Sequence, residues 1–385
     1  MTDGALPAGE DKRVSWAELF FDLVFVFAVI QIATLLEHDH SWPGLLRALI
    51  VFVPVYWTWV GTSIQTNVRD VSRPGTRVAV FAVALAAIFM AMALPRAYED
   101  LGLLYAAAYW AGRIVLGAGF LRTYERGGPL PINPYTISMF VTGPLLVAGA
   151  FVHGGWRVLL WGLAAFLDLG VPTILRSRLR DMHVDAAHLA ERFGLFVLIA
   201  LGESVVAIGA SAQSSDELTL ALGCAVAAAF VLSCGLWWVY FHFAADAMRH
   251  SLATAKVQID IIRLVLSYGH LSFIAAVILI AVGMREAVAH PGERLGWGIT
   301  GMLFGGTALY LTTFGFTRWA MFRLVSRTRL TAAAVVLTLL PAAAQLPALA
   351  ALTGLAVVVA GLNAVELMNN ERSGWHARLG QRLRR

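Results

Sequence analysis

From residue 17 to residue 367 the chain is a succession of apolar stretches joined by short links rich in proline, glycine, asparagine and charge. A transmembrane helix needs roughly 17 to 25 mostly apolar residues. Twelve stretches of about that length are present, near 17–36, 44–64, 77–94, 101–120, 134–152, 156–175, 188–211, 218–243, 262–283, 296–317, 330–346 and 349–367. The links carry turn chemistry, as in Ser41-Trp42-Pro43-Gly44, His153-Gly154-Gly155 and His290-Pro291-Gly292. Composition agrees, with 59% hydrophobic and 14% charged residues, against about 45–50% and 25% in soluble domains. The expected fold is an all-α integral membrane protein of twelve transmembrane helices.

The formal net charge of +5 comes from arginines scattered between apolar stretches. No basic face forms, so nucleic acid is not an expected partner. Those arginines read out topology instead, because positive loops stay in the cytoplasm. Twenty Lys and Arg residues fall on one side, among them Arg69, Arg73, Arg126, Arg180 and Arg327. The opposite loops hold Arg96, Arg285 and Arg294, with Arg47 and Arg157 just inside helix starts. Both termini are therefore expected in the cytoplasm. The first apolar stretch is too long for a secretory signal and lacks a small-residue cleavage site, so it is expected to be retained. Cys224 and Cys234 lie ten positions apart in one stretch, on different sides of a helix, and no disulfide or thiolate site is readable.

The order of motifs suggests an internal repeat. Ala17-Glu18-Leu19-Phe20 opens the first stretch and Ala190-Glu191-Arg192-Phe193 the seventh, while Tyr56-Trp57-Thr58-Trp59 and Trp237-Trp238-Val239-Tyr240 end the second and eighth. With six helices in each half, the copies share an orientation and form a six-plus-six parallel repeat. The expected organisation is a cytoplasmic segment 1–16, a first half 17–175, a linker 176–187, a second half 188–367 and a basic tail 368–385.

Ionisable residues within these stretches are the candidate functional groups, because each costs at least ~2.5 to 3.5 kcal/mol in hydrocarbon and needs a partner or a purpose. They are Glu18 and Asp22, one turn apart on one face, then Arg113, Asp168, His188, Glu191, Arg192, Glu203, His270 and Glu366. Counted together, the acids outnumber Arg113 and Arg192, an acidic interior suited to a proton or a cation. Glu18 and Asp22 are expected within reach of Arg113 or Arg192. Glu203, beside Gly202 and far from both ends of its stretch, is expected beyond the reach of loop arginines and is a candidate functional acid. His242, Asp246 and His250 recur every four residues and would stack three metal ligands if the helix continued through them. Gly301 and Gly305 form a GxxxG packing signal. No GxxxxGK[ST], no GxGxxG after a strand, no GxSxG and no HExxH occurs. ATP-driven transport and a bound cofactor are not expected.

The run from Trp16 to Val26, WAELFFDLVFV, and the run from His188 to Ser204, HLAERFGLFVLIALGES, closely resemble the signature of the bacterial low temperature requirement protein A family of polytopic membrane proteins. The resemblance implies a multi-pass protein of the bacterial cytoplasmic membrane. It also implies that Glu18, Asp22, His188, Glu191, Arg192 and Glu203 belong to the family's signature. It brings no reaction and no substrate.

Three functions fit these observations. A proton- or cation-linked secondary transporter uses buried carboxyls, twelve helices and no ATPase motif. An intramembrane enzyme would act on a lipid or isoprenoid with Glu203 or Asp22 as general acid. A sensor or assembly factor would use neither. Expected partners are membrane lipids, a small-molecule or lipid-like substrate, and a second copy in a homo-oligomer.

Overall fold

Helices cover the apolar stretches because each main-chain N–H and C=O in lipid must find its partner within the segment. The computed structural model describes residues 13–122, 132–213, 217–242 and 244–373. Lys12, Arg126 and the tail arginines from Arg378 onward, which bear on orientation, lie outside the described residues. The helices are α1 (Trp16–His38), α2 (Trp42–Val68), α3 (Pro74–Ala93), α4 (Gly102–Arg122), α5 (Pro134–Ala150), α6 (Gly155–Ile174), α7 (Ala186–Gln213), α8 (Leu220–Phe241), the short α9 (Ala245–Thr254), α10 (Gln258–Ala289), α11 (Gly296–Phe322), α12 (Arg327–Ala343) and α13 (Ala348–Ser373).

Among the described residues ten helical segments are long and apolar enough to cross a membrane, not the twelve expected. The shortfall lies in the fifth and eleventh stretches. The α5 helix is short and begins only at Pro134, behind an Asn133 cap, while α12 has 17 residues and begins with Arg327 and Arg329. At 1.5 Å per residue each spans about 25 Å.

The lipid-like character of the surface is plain in α1. Its buried face is Glu18, Phe21, Asp22, Phe25, Val29 and Ile32, whereas Trp16, Phe20, Leu23 and Phe27 are exposed. Large apolar side chains on the outside and carboxylates on the inside invert the soluble pattern.

The chain forms two compact units. The first comprises Met1–Ala200 and Ala247–Leu271, the second Leu201–Asp246 and Ser272–Arg385. In the first, α1 packs on α2 and α3, α3 on α4, α4 on α5, and α6 on α2 and α5. Arg157, at the start of α6, fastens one end of this unit. Its guanidinium donates to the carbonyls of Ala150 (3.0 Å), Val152 (2.9 Å), Ala97 (3.1 Å) and Glu99 (2.8 Å). Four main-chain acceptors that end helices and loops are thereby satisfied by one buried side chain.

In the second unit α8 packs on α13, and α12 on both α11 and α13. The GxxxG expectation is corrected here. Gly301 and Gly305 face open space, and the packing glycine is Gly306, where an added Cβ would lie 2.9 Å from the Leu279 Cβ and 3.0 Å from the Ala276 carbonyl oxygen.

Two helices contain π-helical turns, Ser138–Thr142 within α5 and Ile262–Gly269 within α10. Such turns insert a residue into the α-helical ladder and often accompany functional sites. In α5 the turn is followed at once by Gly143-Pro144, so the regular α-helical ladder changes register in the middle of a helix that runs on to Ala150.

Candidate functional site

The first unit holds two buried ionic clusters, and the local folding of three helices explains the first. Ser15 caps α1 as a capping box, donating its N–H and its hydroxyl to the Glu18 carboxylate (2.9 Å each). One turn on, Asp22 follows on the same face. On α7, His188, Arg192, Phe193 and Phe196 fall at i, i+4, i+5 and i+8, again one face. Arg192 donates through Nη1 to Glu18 Oε1 (2.8 Å) and the Thr66 hydroxyl (3.1 Å), and through Nη2 to Asp22 Oδ1 (2.5 Å). Trp59 Nε1 donates to the same Asp22 oxygen (2.8 Å). Asp22 Oδ2 and Arg192 Nε make no hydrogen bond, and both residues are completely buried. Trp59 stacks on Phe196 with ring centres 4.2 Å apart, and Phe193 meets Trp59 edge-on, so the ions sit behind an aromatic wall.

His188 completes this cluster, with Nε2 3.2 Å from Glu18 Oε2 and Nδ1 3.0 Å from Asn67 Nδ2. The amide of Asn67 is oriented by one peptide group: Oδ1 accepts from the Asp185 N–H (2.9 Å) and Nδ2 donates to the Asp185 carbonyl (2.9 Å). Its NH₂ therefore faces Nδ1, and Nε2 is the ring nitrogen turned to Glu18.

The second cluster joins α4, α5 and α6. Asp168 accepts at Oδ1 from the hydroxyls of Ser138 (3.1 Å) and Thr142 (3.0 Å), and at Oδ2 from the Tyr109 hydroxyl. Ser138 and Thr142 are the first and last residues of the π-helical turn in α5. Arg113, one turn from Tyr109, brings Nη2 to 3.7 Å from Asp168 Oδ2, an ion pair without a hydrogen bond.

The expected residues thus separate. Glu18, Asp22, His188 and Arg192 come together, with Arg192 as the cation reaching both acids, and Arg113 joins Asp168. Glu191, which the repeat makes the equivalent of Glu18, is exposed, while Glu18 is buried. His270 is buried, its Nδ1 3.0 Å from the Val265 carbonyl oxygen and its ring edge-on to Phe193.

In the second unit Glu203 is not beyond arginine: Arg285 Nη2 lies 3.7 Å from its Oε1. Arg285 reads as a loop residue in the sequence but sits inside α10, four residues from its end. Glu366, one of the acids counted against Arg113 and Arg192, takes a two-pronged grip from Arg329 (2.8 and 3.0 Å). The acidic interior therefore resolves into pairs, because Arg285 and Arg329 belong with the buried charges and not with the loops.

The metal stack also fails. The helix stops at Phe241 and a new one begins at Ala245, so His242, Asp246 and His250 do not share a continuous helical face. Among the described residues no group of three His, Cys, Asp or Glu could hold a metal ion.

The expected site residues do not include Tyr109, Ser138, Thr142, Trp59 and Asn67. Their readable signals were Tyr109 and Arg113 at i, i+4, Ser138 and Thr142 at i, i+4 before Gly-Pro, and Trp59 within the aromatic run of α2.

The family model for bacterial low temperature requirement A protein (LtrA) matches residues 13–364. The chain belongs to this family. An uncharacterized protein of Rhizobium meliloti (strain 1021) is 31% identical over 313 residues, covering 78% of this chain and 76% of the relative. No solved structure matches. Both ionic clusters of the first unit and the Glu203–Arg285 pair lie inside the matched range, as does Arg329, whereas Glu366 falls two residues beyond it. The LtrA chain is thus a membrane protein in which acids of one helix meet arginines of another, Asp168 with Arg113, Glu203 with Arg285 and Glu366 with Arg329.

Proposed function

We propose that this LtrA protein is a proton-linked secondary transporter and that Glu18, Asp22, His188 and Arg192 form its proton site. The observation that carries the reading is a count of charge within one desolvated cluster. Two carboxyls face one guanidinium, with the His188 imidazole set between Glu18 and the Asn67 amide and the half-buried Asp185 carboxylate engaged at the His188 N–H. One carboxyl is left in excess, and one proton balances it. Asp22 is the seat for that proton, since its Oδ2 has no hydrogen-bond partner whereas Glu18 receives donors from Ser15, His188 and Arg192. With the proton on Asp22, Arg192 is drawn to Glu18 alone; without it, Arg192 bridges both helix-borne acids. Ionisable residues in such positions characterise proton relays in transporters.

The architecture in this reading is twelve spans with both termini in the cytoplasm, in the bacterial cytoplasmic membrane. It is supported by the one-sided arginines and by the helical folding of all twelve stretches, α5 and α12 being short spans that local bilayer thinning accommodates. The six-plus-six repeat stays part of it on the ordered sequence motifs.

The test is solute uptake into proteoliposomes under an imposed pH gradient, with a labelled solute library and a pH-sensitive dye inside. A solute whose uptake follows the gradient in the parent, and no longer does so in Asp22→Asn, supports the reading. Gradient-independent uptake, or coupling untouched in Asp22→Asn, sinks it.

A further inference from the structure

The cluster around Arg113 has the opposite imbalance. Asp168 accepts three hydroxyl hydrogen bonds on its two oxygens, while Arg113, 2% exposed, makes none through Nε or Nη2. Those two nitrogens form one edge of the guanidinium, the edge that grips a carboxylate in two parallel bonds. An unpartnered guanidinium edge away from water is unfavourable, and it is retained here beside a carboxylate that it touches only at 3.7 Å. The site lies midway along α4, against the π-helical turn of α5 and its Gly143-Pro144 break. Interrupted helices near the bilayer midplane are where secondary transporters bind their substrates.

We infer that Arg113 and Asp168, with the hydroxyls of Tyr109, Ser138 and Thr142, form a binding site for a small zwitterion of the α-amino acid type. The inference rests on the transporter reading for its purpose, and on the cluster alone for its chemistry. A net-neutral pair of opposite charges in a desolvated setting favours a ligand that is itself neutral overall and carries the complementary charges. Because the two side chains are already almost in contact, the ligand that separates them with least opening has its charges one carbon apart. Its carboxylate takes the Nε and Nη2 edge of Arg113. Its ammonium takes Asp168, and the hydroxyls that now donate to Asp168 rotate to accept from it. Gly61 shapes the Arg113 side: an added Cβ there would lie 3.1 Å from Nη1, so any side chain displaces the guanidinium by a few tenths of an ångström.

Equilibrium binding to the purified full-length protein in detergent, with no gradient, tests the site. The probe is a radiolabelled mixture of the common L-α-amino acids. Retention of label is expected, competed by the unlabelled mixture and not by the same mixture after N-acetylation or after amidation, each of which removes one charge. Arg113→Lys, which keeps the charge and loses the fork, should weaken binding roughly tenfold to a hundredfold. Gly61→Ala should weaken it less while leaving the unfolding midpoint in place, so that a folding failure of Arg113→Lys does not decide the outcome. No retained label on folded protein, or full competition by either one-charge mixture, overturns the inference. Because no gradient is present, that result leaves pH-driven uptake of another solute standing. Conversely, retained label without pH-driven uptake removes the proton reading and leaves this site.

Discussion

The two buried clusters of the first unit are opposites in what they lack. Around Arg192 both terminal guanidinium nitrogens are engaged and a carboxylate oxygen, Asp22 Oδ2, is left without a donor. Around Asp168 the carboxylate is served by three hydroxyls, and a guanidinium edge is left without an acceptor. Both are built from an arginine and acids at i, i+4 spacing or across neighbouring helices, so residue type alone does not separate them. What separates them is the neighbouring uncharged groups. Hydroxyls from the π-helical turn of α5 saturate Asp168. The Thr66 hydroxyl and the two carboxylates engage the ends of Arg192. A buried ion pair is characterised by which partner is short of hydrogen bonds, since the missing bond marks the chemistry that completes it.

The largest test of this contrast is removal of each arginine. Arg192→Gln strips the only hydrogen-bonded cation from two buried carboxyls and should lower unfolding stability in detergent by about 3–5 kcal/mol. Arg113→Gln breaks no hydrogen bond to Asp168 and should cost half of that or less. Equal losses would erase the difference between the clusters.

Next in size are the acids. Asp168→Asn leaves Arg113 buried without a counter-charge and weakens charge-assisted bonds from three hydroxyls, a loss of about 2–3 kcal/mol. Asp22→Asn removes the charge in excess and should change stability by about 1 kcal/mol or less. If Asp22→Asn proves the more damaging of the two in the same unfolding assay, the excess charge does not reside there.

A smaller effect sharpens the assignment of His188. Asn67→Val removes the bonds to the Asp185 peptide and to Nδ1, for about 1–2 kcal/mol. Nitrogen NMR of histidine-labelled protein should show a neutral Nε2–H ring in the parent and a changed ring in the variant. A doubly protonated His188 in the parent would balance the cluster without Asp22 and remove its claim on a proton. As the floor of the scale, Arg96→Gln breaks an exposed i, i+4 contact with Asp100 and should leave the unfolding midpoint where it is.

The sequence makes the helices legible because a stretch long enough to cross lipid has few alternatives, and it makes Glu18, Asp22 and Arg192 legible because charge in such a stretch demands company. It leaves the partners of Glu203 and Glu366 hidden. Arg285 and Arg329 stand at the ends of apolar stretches, where a linear reading assigns them to loops, yet their helices extend past them. The role of Asn67 is invisible for another reason. Its partner is a main-chain peptide 118 residues away, and no side-chain pattern records that. The π-helical turn leaves only a weak trace in Ser138, Thr142 and Gly143-Pro144, since hydroxyls in membrane helices ordinarily bond to their own backbone.

The fastening by Arg157 ties one end of α5, at Ala150, to the α3–α4 connection and to the start of α6. Towards its other end the ties come from side chains: the Tyr135 hydroxyl donates to the Gly61 carbonyl of α2 (2.9 Å), Trp110 of α4 donates to the Met139 carbonyl (2.7 Å), and Ser138 and Thr142 reach Asp168 of α6. This stretch of α5, with its π-helical turn, thus touches three neighbouring helices at once, and the hydroxyls that serve Asp168 keep their places only while all three stay in register.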